Sequence, residues 1–223
     1  MAVVACLYVL RGGYVPARFL PFPALDLDQP GVLLVRDWQL AALRRDDAAC
    51  AAVLAHPSVD AEAVADKELV QGCGWENAVR VREVAGAQLK SAVLTCPAAS
   101  ALTMWLLHEV LPAAREHLGQ DVVGVTHFGR YACRNIRSGG PIGSNRRSEH
   151  ATADAIDVAG FRLRDGSTVS VLRDWKDTGA QSEFLRAVHR GACRYFRVVL
   201  GPEANALHRN HFHLDRGWLW SCR

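Results

Sequence analysis

No Cys-x-x-Cys pair occurs among the seven cysteines of this 223-residue chain, so zinc-ribbon and thioredoxin-like readings have no footing. Internal repeats and low-complexity tracts are also missing, and alanine, though abundant, is dispersed. No apolar run reaches the ~20 residues that span a bilayer. The best candidate, Met1 to Leu10, has half that length and lacks the basic start of an export signal. A strong charge bias is absent as well. The formal net charge of +3, a pI near 8.5 and scattered arginines give no footprint for nucleic-acid binding.

What is present suits one substantial core, since 50% of the residues are apolar. Met1 to Leu10 reads as the tail of an anchor helix whose start lies upstream, or as a short interfacial or buried strand. Gly12, Gly13, Pro16, Pro21, Pro23 and Pro30 then mark an extended linker. The expected organisation is therefore an N-terminal anchor remnant and linker over 1–32, offering membrane attachment, and a single domain over 33–223. Cys50, Cys73, Cys96, Cys133, Cys193 and Cys222 form an even set through that domain, as disulfides of an oxidising compartment would. Six cysteines allow ~15 pairings and the sequence does not choose among them. The pairing expected is Cys50 with Cys73, Cys96 with Cys133, and Cys193 with Cys222, leaving Cys6 apart.

Asp37 is placed to cap a helix from Trp38 to about Leu54. Thr95 and Pro97 open a second, with Leu102, Trp105, Leu106, Val110 and Ala113 at three- and four-residue spacing, a kink at Pro112 and an end at Gly119. A third starts near Ser182 and uses Phe184, Leu185, Val188 and Ala192. Strand-like runs cover Val122 to His127, Ala155 to Phe161, Thr168 to Leu172, Tyr195 to Leu200 and His211 to Asp215. Asp165-Gly166 makes a hairpin turn between two of them. Short strands interrupted by helices imply an α+β fold with a mainly antiparallel sheet and flanking helices.

The chemistry lies in two clusters. His208, His211 and His213 end the chain in the run His-Arg-Asn-His-Phe-His, and His150 and Asp157 lie upstream. Catalytic zinc takes three ligands from histidines and carboxylates and keeps a fourth position open, and these residues can supply such a set. On an extended strand His211 and His213 point the same way, so one can ligate while the other faces the reaction. Asp157 follows His150 by seven positions, an odd offset, so both cannot share one face of an unbroken strand. His150 is therefore expected in a loop, after Gly139, Gly140, Pro141, Gly143 and the polar run from Ser144 to Ser148, with Asp157 on the apolar strand that follows. His56, His108, His117, His127 and His189 read as surface or packing residues.

Ser148-Glu149-His150 followed by Ala155-Ile156-Asp157 resembles the Ser-x-His-x-x-Gly-x-Ala-x-Asp signature of zinc D-alanyl-D-alanine peptidases, lysostaphin-type endopeptidases and the Hedgehog signalling domain. Ala153 stands in the Gly slot. More narrowly, Tyr131-Ala132-Cys133-Arg134, Leu200-Gly201-Pro202-Glu203-Ala204-Asn205 and His211-Phe212-His213-Leu214-Asp215 are similar to the bacterial extensin-like C-terminal domain family, over most of 33–223. Ser-Pro-rich repeats are absent, which separates the chain from plant wall glycoproteins of related name. The resemblance implies a D-Ala-D-Ala peptidase/Hedgehog-like fold and Zn2+ held by His150, Asp157 and His213. It makes His211 the acid/base partner, Arg134 a clamp for a substrate carboxylate or the oxyanion, and His208 an active-site neighbour. Asp215 and His208 are also candidates to orient a ligand ring. The activity implied is hydrolysis of an amide in peptidoglycan stem peptides or cross-links by a periplasmic or otherwise extracytoplasmic enzyme. The alternative is a non-catalytic zinc-containing module that binds cell wall. The sequence leaves the bond cut and the oligomeric state open.

Overall fold

Buried apolar side chains from helices and strands converge on one core cluster, and the elements around it follow from where those side chains recur. The computed structural model describes residues 2–128, 131–137 and 145–223. Gly139, Gly140, Pro141, Gly143 and Ser144, expected in the loop before His150, lie outside the described residues.

Three helices open the fold: α1 (Ala2–Arg11), α2 (Leu33–Ala42) and α3 (Asp47–Leu54). The single helix expected from Asp37 is thus two, separated by a 3-10 turn at Leu43–Arg45. The cap of α3 is Asp46, whose side chain accepts from Ala49 N at 3.0 Å. Asp37 lies inside α2, buried against arginines, and caps nothing. Leu25 and Leu27, in the stretch read as a linker, are buried in the core cluster.

A meander follows, comprising β1 (Val59–Val64), β2 (Lys67–Val70), β3 (Cys73–Trp75), β4 (Ala78–Val84) and β5 (Ala87–Thr95). None of it was expected from the sequence. The tight turn between β4 and β5 is Ala85-Gly86, with φ of 49° and 83°. Both residues are left-handed, as a primed hairpin turn requires, but alanine in place of the usual Asn or Asp hides the signal.

The helix opened by Thr95 and Pro97 is present as α4 (Cys96–Trp105), a π-helical segment (Leu106–Val110) and α5 (Leu111–Leu118). The π segment ends two residues before Pro112, which lacks the amide an α-helix needs there. Gly119 ends α5 at φ 62°. Next come β6 (Val122–His127), β7 (Ala155–Leu163), β8 (Thr168–Ser170), α6 (Val171–Asp174), α7 (Ala180–Ala192), β9 (Val198–Leu200), β10 (Phe212–Asp215) and β11 (Ser221–Cys222). Phe184, Leu185, Val188 and Ala192 of α7 are buried as its periodicity demands.

One nine-stranded sheet runs β1-β4-β5-β6-β7-β10-β9-β11, with β8 paired to β7, and β2-β3 form a separate hairpin. The fold is mixed α/β in content and its sheet is mixed, not mainly antiparallel as the hairpin pattern suggested. The α4–α5 crossover returns the chain to the end of the sheet where β5 began, so β5 and β6 pair in parallel. β11 also pairs in parallel with β9. Trp105, Phe161, Phe184, Phe212 and Leu214 fill the space between sheet and helices. Trp105 Nε1 donates to Val188 O at 2.8 Å, tying α4 to α7.

Three disulfides form: Cys50–Cys96, Cys73–Cys133 and Cys193–Cys222. The last matches the expected pairing, and the first two correct it. Cys50 on α3 packs against the start of α4, whereas Cys73 sits on the β2-β3 hairpin, which leaves the main sheet and reaches the segment carrying Arg134.

Candidate metal centre

β7 and β10 are antiparallel neighbours in the register that sets His213 opposite Asp157. Phe212 and Leu214 point into the core, which turns His213 and Asp215 to the other face by strand alternation. His150 comes from a 3-10 turn, Glu149–Thr152, placed in a loop as its offset from Asp157 required. Ser148 caps that turn through its side chain, and Ala153 closes it at φ 55°. Ala153 therefore adopts the left-handed conformation that favours glycine, which accounts for the Gly slot of the signature it resembles.

His150, Asp157 and His213 each bring a potential ligand atom within 4.8 Å of the others. His213 Nδ1 is 2.9 Å, His150 Nε2 3.2 Å and His211 Nε2 3.5 Å from the same oxygen, Asp157 Oδ1. His150 Nε2 is nevertheless buried with no hydrogen bond among the described residues. A ring nitrogen aimed at a carboxylate oxygen and lacking a hydrogen bond fits a metal ligand better than a packed core histidine. On the far side of its ring, His213 Nε2 lies 2.8 Å from Asp215 Oδ2. In the neutral ring, donation there would leave the Nδ1 lone pair facing Asp157 and His150, the carboxylate–histidine pattern that supports a metal ligand, and an ion would displace the proton that Nδ1 otherwise shares with Asp157. Two histidines, a carboxylate and an outer carboxylate fit zinc.

Electrostatics follow from this crowding. Burial alone would raise the Asp157 carboxyl, but the imidazoles of His150 and His213 hold it well below the usual carboxylate range. Burial opposes charge on His213, yet its contacts with Asp157 and Asp215 push it up to about 9. His208 goes the other way, lowered to about 4 by burial and by the neighbouring His213 and His211. His211 is also lowered, chiefly by burial. Both rings are therefore neutral at pH 7.

The centre opens into a groove of about 410 Å³ that also contains Arg134, Glu149, His208 and Trp218. His208 and His211 stand 5.2 Å apart, ring to ring, and His208 and His213 5.8 Å. His208 Nδ1 meets Asn205 Oδ1 at 2.9 Å and His211 Nδ1 meets Asn210 Oδ1 at 2.8 Å. Each asparagine oxygen takes the Nδ1 proton, leaving the Nε2 lone pair as the acceptor. Arg134 reaches the groove because its segment runs beside the His150 loop: Ser148 N donates to Arg134 O at 3.1 Å and Ala132 N to His150 O at 3.2 Å. No carboxylate among the described residues forms an ion pair with Arg134, so a structural salt bridge does not account for it.

Five of the six site residues singled out from the sequence, Arg134, Asp157, His208, His211 and His213, line that groove, and His150 is buried against Asp157 behind it. His56, His108, His117, His127 and His189 are not part of the metal group. His108 contacts Leu27 O at 2.7 Å and His189 packs against Trp175 and Phe212. Sequence reasoning passed over Glu149, Asn210, Trp218 and Leu219. Burial, with Asp154 and Asp215 nearby, raises the Glu149 carboxyl to about 7. Only its position beside His150 could have pointed to it.

The sequence model of the family described as "Extensin-like protein C-terminus" matches residues 48–223. No curated protein and no solved structure matches the chain.

Proposed function

The chain belongs to the extensin-like protein C-terminus family, and on that premise we propose that the groove is the active site of a zinc-dependent peptidase. Its substrate is an amide of peptidoglycan stem peptides or cross-links. The observation that carries this reading is the buried His150 Nε2, without a hydrogen bond among the described residues, converging with His213 Nδ1 on Asp157 while Asp215 secures the far side of the His213 ring. Placement in the zinc D-Ala-D-Ala peptidase, lysostaphin and Hedgehog-type superfamily, with its fold, belongs to the same proposal. It is supported by the Ser148-to-Asp157 signature and by the His211-Phe212-His213 run. Three disulfides favour an extracytoplasmic, periplasmic location.

His150, Asp157 and His213 would hold the ion. Bound there, zinc supplies Lewis acidity to a carbonyl and lowers the pKa of a water. His211, neutral and with Nε2 free to accept, takes the proton of the attacking water and returns it to the leaving amine nitrogen. Hydrolysis then gives one carboxylate and one amine. Arg134 binds a substrate carboxylate or the oxyanion that develops at the scissile carbonyl. His208 lines the groove beside His211 and, held by Asn205, offers a neutral Nε2 to the substrate.

The test is zinc content by elemental analysis with mass spectrometry of digested peptidoglycan, for wild type, His213→Ala and His211→Ala. One zinc per chain and new stem-peptide fragments are expected of wild type, with fragments lost in both variants and zinc retained by His211→Ala. Zinc without fragments would instead favour a non-catalytic wall-binding module, and absence of zinc would sink both.

A further inference from the structure

The segment α1 is Ala-Val-Val-Ala-Cys-Leu-Tyr-Val-Leu-Arg, with no polar face before Arg11. A helix apolar on all sides belongs in a core or in lipid. Here a core is excluded, because Ala5 to Val9 are exposed, Leu7 at 49% and Tyr8 at 54%. No helix among the described residues is long and apolar enough to cross a membrane.

The apolar surface does not stop at α1. Tyr8 stacks on Trp218, with ring centroids 4.9 Å apart and planes 17° from parallel. Arg11 donates to Trp218 O and sits 5.6 Å from the centre of the Trp220 ring. Tyr8 also stacks on Tyr14 at 5.9 Å, and the Arg45 guanidinium covers Tyr14 at 4.4 Å. Trp218, Leu219 and Trp220 are themselves exposed, at 43%, 55% and 43%. One surface therefore combines an apolar helix, two tyrosines, two tryptophans and two arginines from opposite ends of the chain. Tyrosine and tryptophan sit well at a headgroup boundary, and arginines beside them complement anionic lipid.

We infer that α1 and the tail Trp218–Trp220 together form a seat for an anionic phospholipid bilayer, on which the protein lies peripherally. Trp218 and Leu219 also line the groove of the metal centre. The groove accordingly opens beside the lipid-facing surface. The inference is independent of the peptidase reading, since it uses no metal ligand.

The test is co-sedimentation of the full chain with vesicles of phosphatidylcholine alone and of phosphatidylcholine mixed equally with phosphatidylglycerol. Binding to the mixed vesicles roughly thirtyfold tighter is expected from two arginines near the surface. Leu7→Asp combined with Val9→Asp should abolish it while the thermal melt is unchanged. A second measurement uses variants that keep the surface aromatic. Brominated lipid should quench wild-type tryptophan fluorescence, and much of that quenching should vanish in Trp218→Phe/Trp220→Phe, which still sediments. Wild type left in the supernatant with both vesicles would overturn the inference. So would unchanged quenching in the double Phe variant, or self-association in solution that Leu7→Asp abolishes without any vesicle binding.

Discussion

Among the described residues, the cluster around Asp37 and the cluster around Asp157 both bury charge, and burial does not tell them apart. Asp37, Arg197 and Arg216 are 4%, 4% and 3% exposed, and His150 is 3% exposed. They differ in how their hydrogen bonds close. Asp37 accepts from Arg197 Nε at 2.9 Å and Arg197 Nη2 at 2.8 Å, and Arg216 Nη2 lies 2.9 Å from it. The remaining guanidinium groups go to backbone oxygens of Arg11, Gly217 and Tyr195, leaving only Arg216 Nε over. That cluster is spent on joining α2, β9 and the C-terminal tail. At the candidate metal centre three imidazoles crowd one carboxylate oxygen, His150 Nε2 has no hydrogen bond among the described residues, and one side opens to a groove. A closed charge cluster holds a fold together, whereas one left open beside a groove is equipped to take a ligand.

If the comparison is right, the two clusters should break differently. The largest effect is expected from Asp37→Ala, which leaves two buried arginines unpaired and should cost about 3–5 kcal/mol of stability. Urea unfolding measures it. His213→Ala should cost much less in the same assay while losing zinc, and equal losses in both variants would erase the distinction.

Acid should separate the clusters too. Burial opposes ionisation of Asp37, but Arg216 and Arg197 hold its carboxyl below the usual value. A group with a depressed folded pKa stabilises above its unfolded value, ~3.9 for Asp, and that stability is lost as pH falls through the lower folded value. Thermal melts of wild type should therefore fall faster below about pH 4 than those of Asp37→Asn. Parallel curves would count against the pairing.

A smaller effect is expected from Asp215→Asn, which keeps the shape but removes the charge behind His213. Zinc affinity should drop by about 10–100-fold, read by competition with a chelating dye, with the fold intact. The smallest is Ala153→Gly. Relief of the left-handed strain of about 1–2 kcal/mol is partly offset by glycine's greater unfolded-state freedom, so the melt should rise by under about 1 kcal/mol equivalent. A fall would mean that the alanine methyl packs usefully.

Legibility in the sequence followed the range of the interaction. The helices at Cys96–Leu118 and Ala180–Ala192 could be read because apolar spacing and a Gly119 stop are local. The β1–β5 meander could not, since its tight turn puts Ala85 where asparagine would have announced it. Asp37 looked like a cap because Asp before an apolar run usually is one, yet its partners are Arg197 and Arg216, far along the chain. At the candidate site, residue type and spacing singled out His150, Asp157, His211 and His213, which the fold brings together. Glu149, Asn210 and the Trp218–Leu219 wall were not, because nothing in their own neighbourhoods distinguishes them from solvated residues.

By itself, then, the sequence determined the candidate ligand set and the helices at Cys96–Leu118 and Ala180–Ala192, since both depend on side-chain chemistry and on periods of a few residues. Only the tertiary structure decided which cysteines meet, that β5 and β6 run parallel, and that α1 packs on Trp218. Those outcomes depend on where distant segments are carried by a crossover helix or a hairpin, and no local pattern encodes that displacement.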